Sequence, residues 1–150
     1  MTALLDVFSQ LVRLEIELWN AADTRLRGDL GLPLSRYEPM QVMDSHESCR
    51  VNTIATELGI TVGGASKLVD RIEASGHCRR QRDPNDARSS IIELTPSGKR
   101  LLTKATVALE AELSVRLAAL SPGALSQLAS HINKLRAAGN AADAAGRTAS

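Results

Sequence analysis

A chain of 150 residues with 43% hydrophobic content is long enough for one compact domain around a sizeable core. Phe8, Trp19 and Tyr37 are its only aromatics, which argues against single-strand nucleic-acid binding by base stacking, a mode that needs aromatic platforms. The net charge of +1 hides a division: ten basic and six acidic residues between Arg50 and Lys104 give that segment +4 and leave −3 for the flanks, so the middle of the chain is suited to meet a polyanion.

Leu4 to about Leu26 has a helical pattern with an unusual distribution. Asp6, Gln10, Arg13, Glu17 and Asn20 form a narrow polar stripe, while Leu4, Leu5, Val7, Phe8, Leu11, Val12, Leu14, Ile16, Leu18 and Trp19 cover most of the rest. A helix so widely apolar needs partners on more than one side, and in a chain this small a second subunit is the expected one; the alternative is a central core helix in a monomer. Asp6, Arg13, Glu15 and Glu17 break the apolar run, so the segment reads as neither a signal peptide nor a membrane span, and the expected location is the cytoplasm. Gly28 to Pro33 reads as a loop. Ser35-Arg36-Tyr37-Glu38 fits a capping box for a helix through about His46, with Pro39 moving the start a residue or two later.

Cys49 to Val51 is expected to form a short strand joining the sheet that follows. Asn52 is placed to cap a helix over Thr53 to Leu58, and Gly59 to end it in a left-handed conformation. The Thr61 hydroxyl caps a second helix that runs to Ser75, with Gly76 as the stop. Its apolar face is Ala65, Leu68, Val69 and Ile72, and its opposite face carries Val62, Ser66, Lys67 and Asp70. This is a helix-turn-helix pattern, whose second helix enters the DNA major groove. Two strands follow, His77 to Arg82 with Arg79, Arg80 and Arg82, and Ser89 to Leu94 with Ile91, Ile92 and Leu94. Asp83-Pro84-Asn85-Asp86 supplies the turn between them, and Arg88 lies near the tip. Thr95-Pro96 and Ser121-Pro122 then open two more helices, each by a hydroxyl cap followed by proline. Leu102, Ala105, Leu109, Leu113, Leu117 and Leu120 stripe the first; Leu125, Leu128, Ile132 and Leu135 stripe the second, which is expected to end near Gly139.

The stretches LGITVGGASKLVDRIEASG and RRQRDPNDARSSIIELTPSGKRL resemble the multiple antibiotic resistance regulator (MarR) family of winged-helix transcription factors, and the D-P-x-D-x-R wing followed by L-T-P-x-G is the most specific part. The resemblance runs through nearly the whole chain in order and length. It implies a mainly α fold with a small β-wing: a winged helix-turn-helix lobe over residues 35–96, dimerisation helices over 1–34 and 97–138, and a flexible tail over 139–150, all in one domain. It also implies a homodimer on a pseudo-palindromic operator in double-stranded DNA, with recognition helices in successive major grooves and wings over the flanking minor grooves. The expected role is transcriptional repression relieved by a ligand or signal. In such proteins the wing aspartate holds the wing arginine; those positions are Asp86 and Arg88. Gly63-Gly64 in the first turn of the recognition helix and His77-Cys78 after it depart from the family pattern.

The candidate DNA-binding residues are therefore Thr61, Val62, Gly63, Gly64, Ser66, Lys67, Arg71, Arg82, Asp86 and Arg88. Thr61, Val62, Ser66 and Lys67 lie at the exposed start of the recognition helix, the end that meets base edges. Arg88 is suited to a narrow minor groove, where negative potential concentrates. Arg71 reaches either DNA or a neighbouring acid, and the two glycines either admit a phosphate closely or are tolerated at about 1 kcal/mol each relative to alanine. Arg79, Arg80 and Arg82 divide between phosphate contact and packing, because alternate strand residues face opposite ways. A small-molecule effector pocket between the dimer helices and the lobe is implied by the resemblance, with Trp19, Tyr37 and His46 the nearest candidates and no ligand residue assigned. No catalytic set, cofactor motif or metal-ligand ladder appears. Two other readings stand beside the regulator: a winged-helix protein-interaction module that docks an acidic partner, and a thiol-redox switch formed by Cys49 and Cys78.

Overall fold

Glycines and hydroxyl caps set most of the element boundaries. The computed structural model describes residues 3–148, in the order α1 (Ala3–Leu30), α2 (Leu34–Ser45), α3 (Val51–Leu58), α4 (Val62–Ala74), β1 (Cys78–Asp83), β2 (Asp86–Leu94), α5 (Pro96–Arg116) and α6 (Pro122–Thr148). The chain packs as two units that divide between Leu113 and Ser114.

In the first unit α1 outruns its expected end. Ion pairs Arg27–Asp23 and Arg25–Asp29, each four residues apart, carry it past Gly28. Gly31, at φ 62°, then turns the chain, and its N–H bonds to the Arg27 carbonyl at 3.0 Å. The expected capping box at Ser35 is not what starts α2. The helix begins at Leu34, whose N–H donates to Asp23 Oδ1 of α1 at 2.9 Å, so the cap comes from a neighbouring helix. That bond, and after it Arg27, holds the Asp23 carboxyl below the usual aspartate range against some desolvation. Pro39 sits inside α2 and is buried, so the helix gives up one backbone bond there.

The helix-turn-helix forms largely as expected, with one changed cap. Arg50 precedes α3, and its N–H donates to Thr53 Oγ1, so Asn52 is already inside the helix. Gly59 closes α3 at φ 65°, Thr61 Oγ1 accepts the Gly64 N–H at 3.0 Å to open α4, and Gly76 turns at φ 78°. Cys49 to Val51 is not a strand: among the described residues the sheet consists of β1 and β2, although the Cys49 carbonyl accepts the Ile92 N–H at 2.8 Å. The antiparallel pair runs from Cys78 opposite Leu94 to Asp83 opposite Asp86, with an irregularity after Arg82. The turn is therefore tighter than the sequence suggests, because Asp83 and Asp86 already belong to the strands.

Burial of Ala22 and Leu26 of α1, Tyr37, Met40 and Met43 of α2, Ile54, Val69 and Ile72 of the helix-turn-helix, Ile92 and Leu94 of β2, and Leu102 and Ala105 of α5 makes one core. Tyr37 completes it with an O–H contact of 3.1 Å to Thr106 Oγ1. At the start of α5 the L-T-P-S-G motif has a steric reason. Thr95 Oγ1 accepts the Gly98 N–H and donates to the Gly76 carbonyl at 2.7 Å, while a Cβ at Gly98 would lie 2.0 Å from the His77 carbonyl oxygen. Only glycine lets the helix start lie so close to the end of the Gly76 turn.

α5 stops at Arg116, so the expected stripe through Leu117 and Leu120 runs past its end. In the second unit Ser121 Oγ caps α6 at the Ala124 N–H, as the Ser-Pro pair predicts. The helix continues beyond Gly139 to Thr148 instead of giving way to an irregular tail, since alanines dominate that stretch; residues 149 and 150 lie outside the described residues. No residue of α6 is buried in the protomer. The N-terminal half of α1 is likewise uncovered, with Leu4 82% and Phe8 64% exposed. No helix among the described residues is long and apolar enough to cross a membrane.

Candidate nucleic-acid interface

From Arg50 onward, the basic residues of the lobe separate into two sets. In the first, each guanidinium is neutralised internally. Arg80 donates to Glu73 Oε1 at 3.0 Å and to the Ser66 carbonyl, and pairs with Asp70 at 2.7 Å, which binds β1 to the side of α4. Arg79 pairs with Glu93 across the hairpin at 3.4 Å. Arg50 reaches Asp83 and Ser89 at the wing. In the second set, Lys67, Arg71, Arg82 and Arg88 are exposed, and among the described residues none shows a side-chain hydrogen bond or ion pair. Arg71 therefore lacks the neighbouring-acid partner that the sequence left open for it.

Two elements carry this second set. Thr61, Val62 and Gly63 are exposed at the N-terminus of α4, with Lys67 and Arg71 one and two turns on; Gly64 and Ser66 are half-buried. Apolar Ala65, Val69 and Ile72 hold the opposite face in the core, so α4 has a fixed inward side and an open outward one. Helix N-termini also favour anions through unpaired N–H groups and the helix dipole. The two glycines differ. A Cβ at Gly63 meets nothing within 4 Å, whereas one at Gly64 would press on the capping Thr61 Oγ1 at 3.1 Å. Gly64 thus serves the cap, and Gly63 has no steric role within the protein.

On β1, Cys78, Arg80 and Arg82 share a face because strand residues alternate. Cys78 enters the core, Arg80 covers its edge, and Arg82, opposite Ser90, extends beyond it. Asp86 Oδ1 accepts the Arg88 main-chain N–H at 3.0 Å. The hold that the family resemblance implies is thus made to the backbone, leaving the Arg88 guanidinium available outward. Sequence reasoning missed Arg50 and Asp83, which lie 33 residues apart with no local pattern joining them. It also left Arg80 undecided, although a buried Cys78 two residues earlier marks that face as inward.

Cys49 and Cys78 are free and buried, and burial pushes both thiols up to about 11. Thiols rather than thiolates at neutral pH make poor nucleophiles, which disfavours the redox reading. No group of three or more His, Cys, Asp or Glu side chains with metal-binding geometry is found among the described residues. Of the effector candidates, Tyr37 is buried in the core, Trp19 lines a shallow depression on α1 with Glu15 and Ile16, and His46 borders a cavity of about 340 Å³ with Met43, Arg79, Leu94 and Lys99. A second shallow depression, of about 400 Å³, lies between Arg25, Asp29 and Leu30 of α1 and Thr103, Lys104, Val107 and Ala111 of α5.

Residues 33–90, which span α2 to the middle of β2, match the model of the MarR family. Over that segment the chain is similar to the MarR family. A curated relative, the HTH-type transcriptional regulator TtmR of Methylorubrum extorquens, is 37% identical over 73 residues, covering 49% of this chain and 37% of its own length. The chain spans less than half the length of the curated relatives it matches. The likeness of fold extends further. Sco3205, a MarR family transcriptional regulator from Streptomyces coelicolor solved in complex with DNA, superposes with a TM-score of 0.81 at 22% identity, over 91% of this chain and 88% of that one. CouR from Rhodococcus jostii RHA1, solved bound to p-coumaroyl-CoA, superposes with a TM-score of 0.79 at 22% identity, over 87% and 91% of the two chains.

Proposed function

We propose that this protein is a transcriptional regulator that binds double-stranded DNA as a homodimer, with α4 in the major groove and the β1–β2 wing over the adjacent minor groove. The observation that carries the reading is the division of cations. Arg50, Arg79 and Arg80 are neutralised within the fold, while Lys67, Arg71, Arg82 and Arg88 stand unpaired among the described residues, on the two elements that a winged helix lays against a duplex. Thr61, Val62, Gly63, Gly64 and Ser66 supply the surface that approaches base edges, and Asp86 orders the backbone at Arg88. The exposed apolar α1 and α6 surfaces support the dimer, which presents two reading heads to a pseudo-palindrome.

Repression relieved by a small molecule is the form of control that goes with this reading, and the open depression between α1 and α5 is where its apolar Leu30, Val107 and Ala111 would meet such an effector. A ligand acts by favouring a dimer geometry in which the recognition helices no longer match successive grooves, roughly 34 Å apart. The cytoplasm is the corresponding location. Docking to an acidic protein is the second reading; it predicts no DNA binding even at low salt. Fluorescence anisotropy against DNA from upstream of the protein's own gene and against scrambled DNA, across a salt series, tests both. Selective binding that falls steeply with salt supports the regulator, and equal weak binding to both duplexes removes that DNA as the operator.

A further inference from the structure

We infer that Arg50 is a positioning residue for the wing: it fixes the direction of Arg88 without itself touching DNA. Its guanidinium bonds to both strands of the hairpin, to Asp83 at the end of β1 and to Ser89 in β2. Asp83 is the charged residue buried among those described, 6% exposed, and its other oxygen accepts the Asn85 N–H at 2.9 Å, which shapes the wing turn. Beside Arg50, the Cys49 carbonyl takes the Ile92 N–H. Besides the Arg80 bonds that hold the middle of β1 to α4, the hairpin is thus tied near its tip to the residue that precedes α3, the first helix of the helix-turn-helix.

The tie matters because an isolated two-stranded hairpin is marginal in water. A wing free to swing would have to be ordered by DNA on binding, and that ordering entropy would be subtracted from affinity. With Arg50 bridging the two strands, the start of β2 that carries Arg88 keeps one orientation relative to α3 and α4 before DNA arrives. This inference rests on the DNA-binding reading for its consequence, while the tie itself is testable in the free protein.

Electrostatics separates positioning from direct contact. Asp83→Asn removes a negative charge and leaves Arg50 in place, so an Arg50 that met phosphate directly would bind DNA as well or better in that variant. Positioning predicts the opposite: operator affinity falls about tenfold, and falls no further when Arg88 is already alanine, since both changes remove one contribution. Arg50→Gln should behave like Asp83→Asn in both backgrounds. In the free protein, hydrogen exchange at the wing amides Asn85, Arg88 and Ser90 should quicken about tenfold in either variant, with the α3 and α4 core amides unchanged. Unaltered wing exchange, undiminished operator binding by Asp83→Asn, or losses that multiply with Arg88→Ala would each overturn the proposal. Should the wild-type protein not discriminate its operator, the DNA-binding reading is what fails, and the exchange measurement still decides whether Arg50 holds the wing.

Discussion

Arg88 shows how a single side chain is prepared for a partner. Its backbone is committed to Asp86, and its guanidinium faces solvent with no intramolecular bond among the described residues. Replacing it by alanine should weaken operator binding by about 1–3 kcal/mol, reduce the salt slope by about one, and leave the thermal midpoint unmoved, as anisotropy and calorimetry would show. Gly98 is the reverse case, a residue with no surface role and no tolerance. An alanine methyl there must displace the His77 main chain, so Gly98→Ala should cost about 3 kcal/mol in urea denaturation, a loss out of proportion to one carbon. The same comparison shows what a sequence can carry at this scale. Gly59, Thr61, Gly76, Thr95 and Ser121 act locally, through φ or a bond three residues away, and each was legible from type and position. Arg50 with Asp83, and Asp23 with Leu34, were not, because their partners are brought together only by the packing of separate elements.

Element boundaries follow similar logic. The length of α1 was underestimated because Gly28 suggested a break that flanking ion pairs override, and α6 because Gly139 and small polar residues suggested a tail where alanine sustains the helix. For α4 the glycine pair now separates into a testable contrast. Gly63→Ala meets nothing within the protein and should raise stability by up to about 1 kcal/mol; if the helix start closely approaches a phosphate, the same methyl should lower DNA affinity. Stability up with affinity down would assign Gly63 to the interface, and both unchanged or both up would make it a tolerated residue. The cap of α2 has a pH signature. Because the Asp23 pKa is lowered on folding, its stabilisation is complete above about pH 4 and is lost as pH falls through the folded value. Asp23→Asn should accordingly flatten the acid limb of a plot of thermal midpoint against pH below about pH 4, because asparagine keeps an acceptor for the Leu34 N–H without the titrating charge.

At the scale of the whole molecule, the protomer leaves uncovered an apolar surface that a soluble monomer rarely tolerates: Leu4, Phe8, Leu11 and Trp19 on α1, and separately Ile132 and Leu135 on α6. Analytical ultracentrifugation should find a dimer at micromolar concentration, and Phe8→Glu with Leu11→Glu should shift it to monomer and abolish selective operator binding while the lobe keeps its helical circular dichroism. The breadth of the apolar face was plain from the sequence, since a stripe of five polar positions along α1 cannot cover a helix. The close seat of Gly98 against the His77 backbone, tied further by Thr95 to Gly76, leaves no compliant hinge between the long helix α5 and the start of the wing. The start of α5 and the end of the Gly76 turn are thus built as a single seat. Neither side of that seat can be reshaped alone, because a change in the helix start presses directly on the main chain that leads into β1.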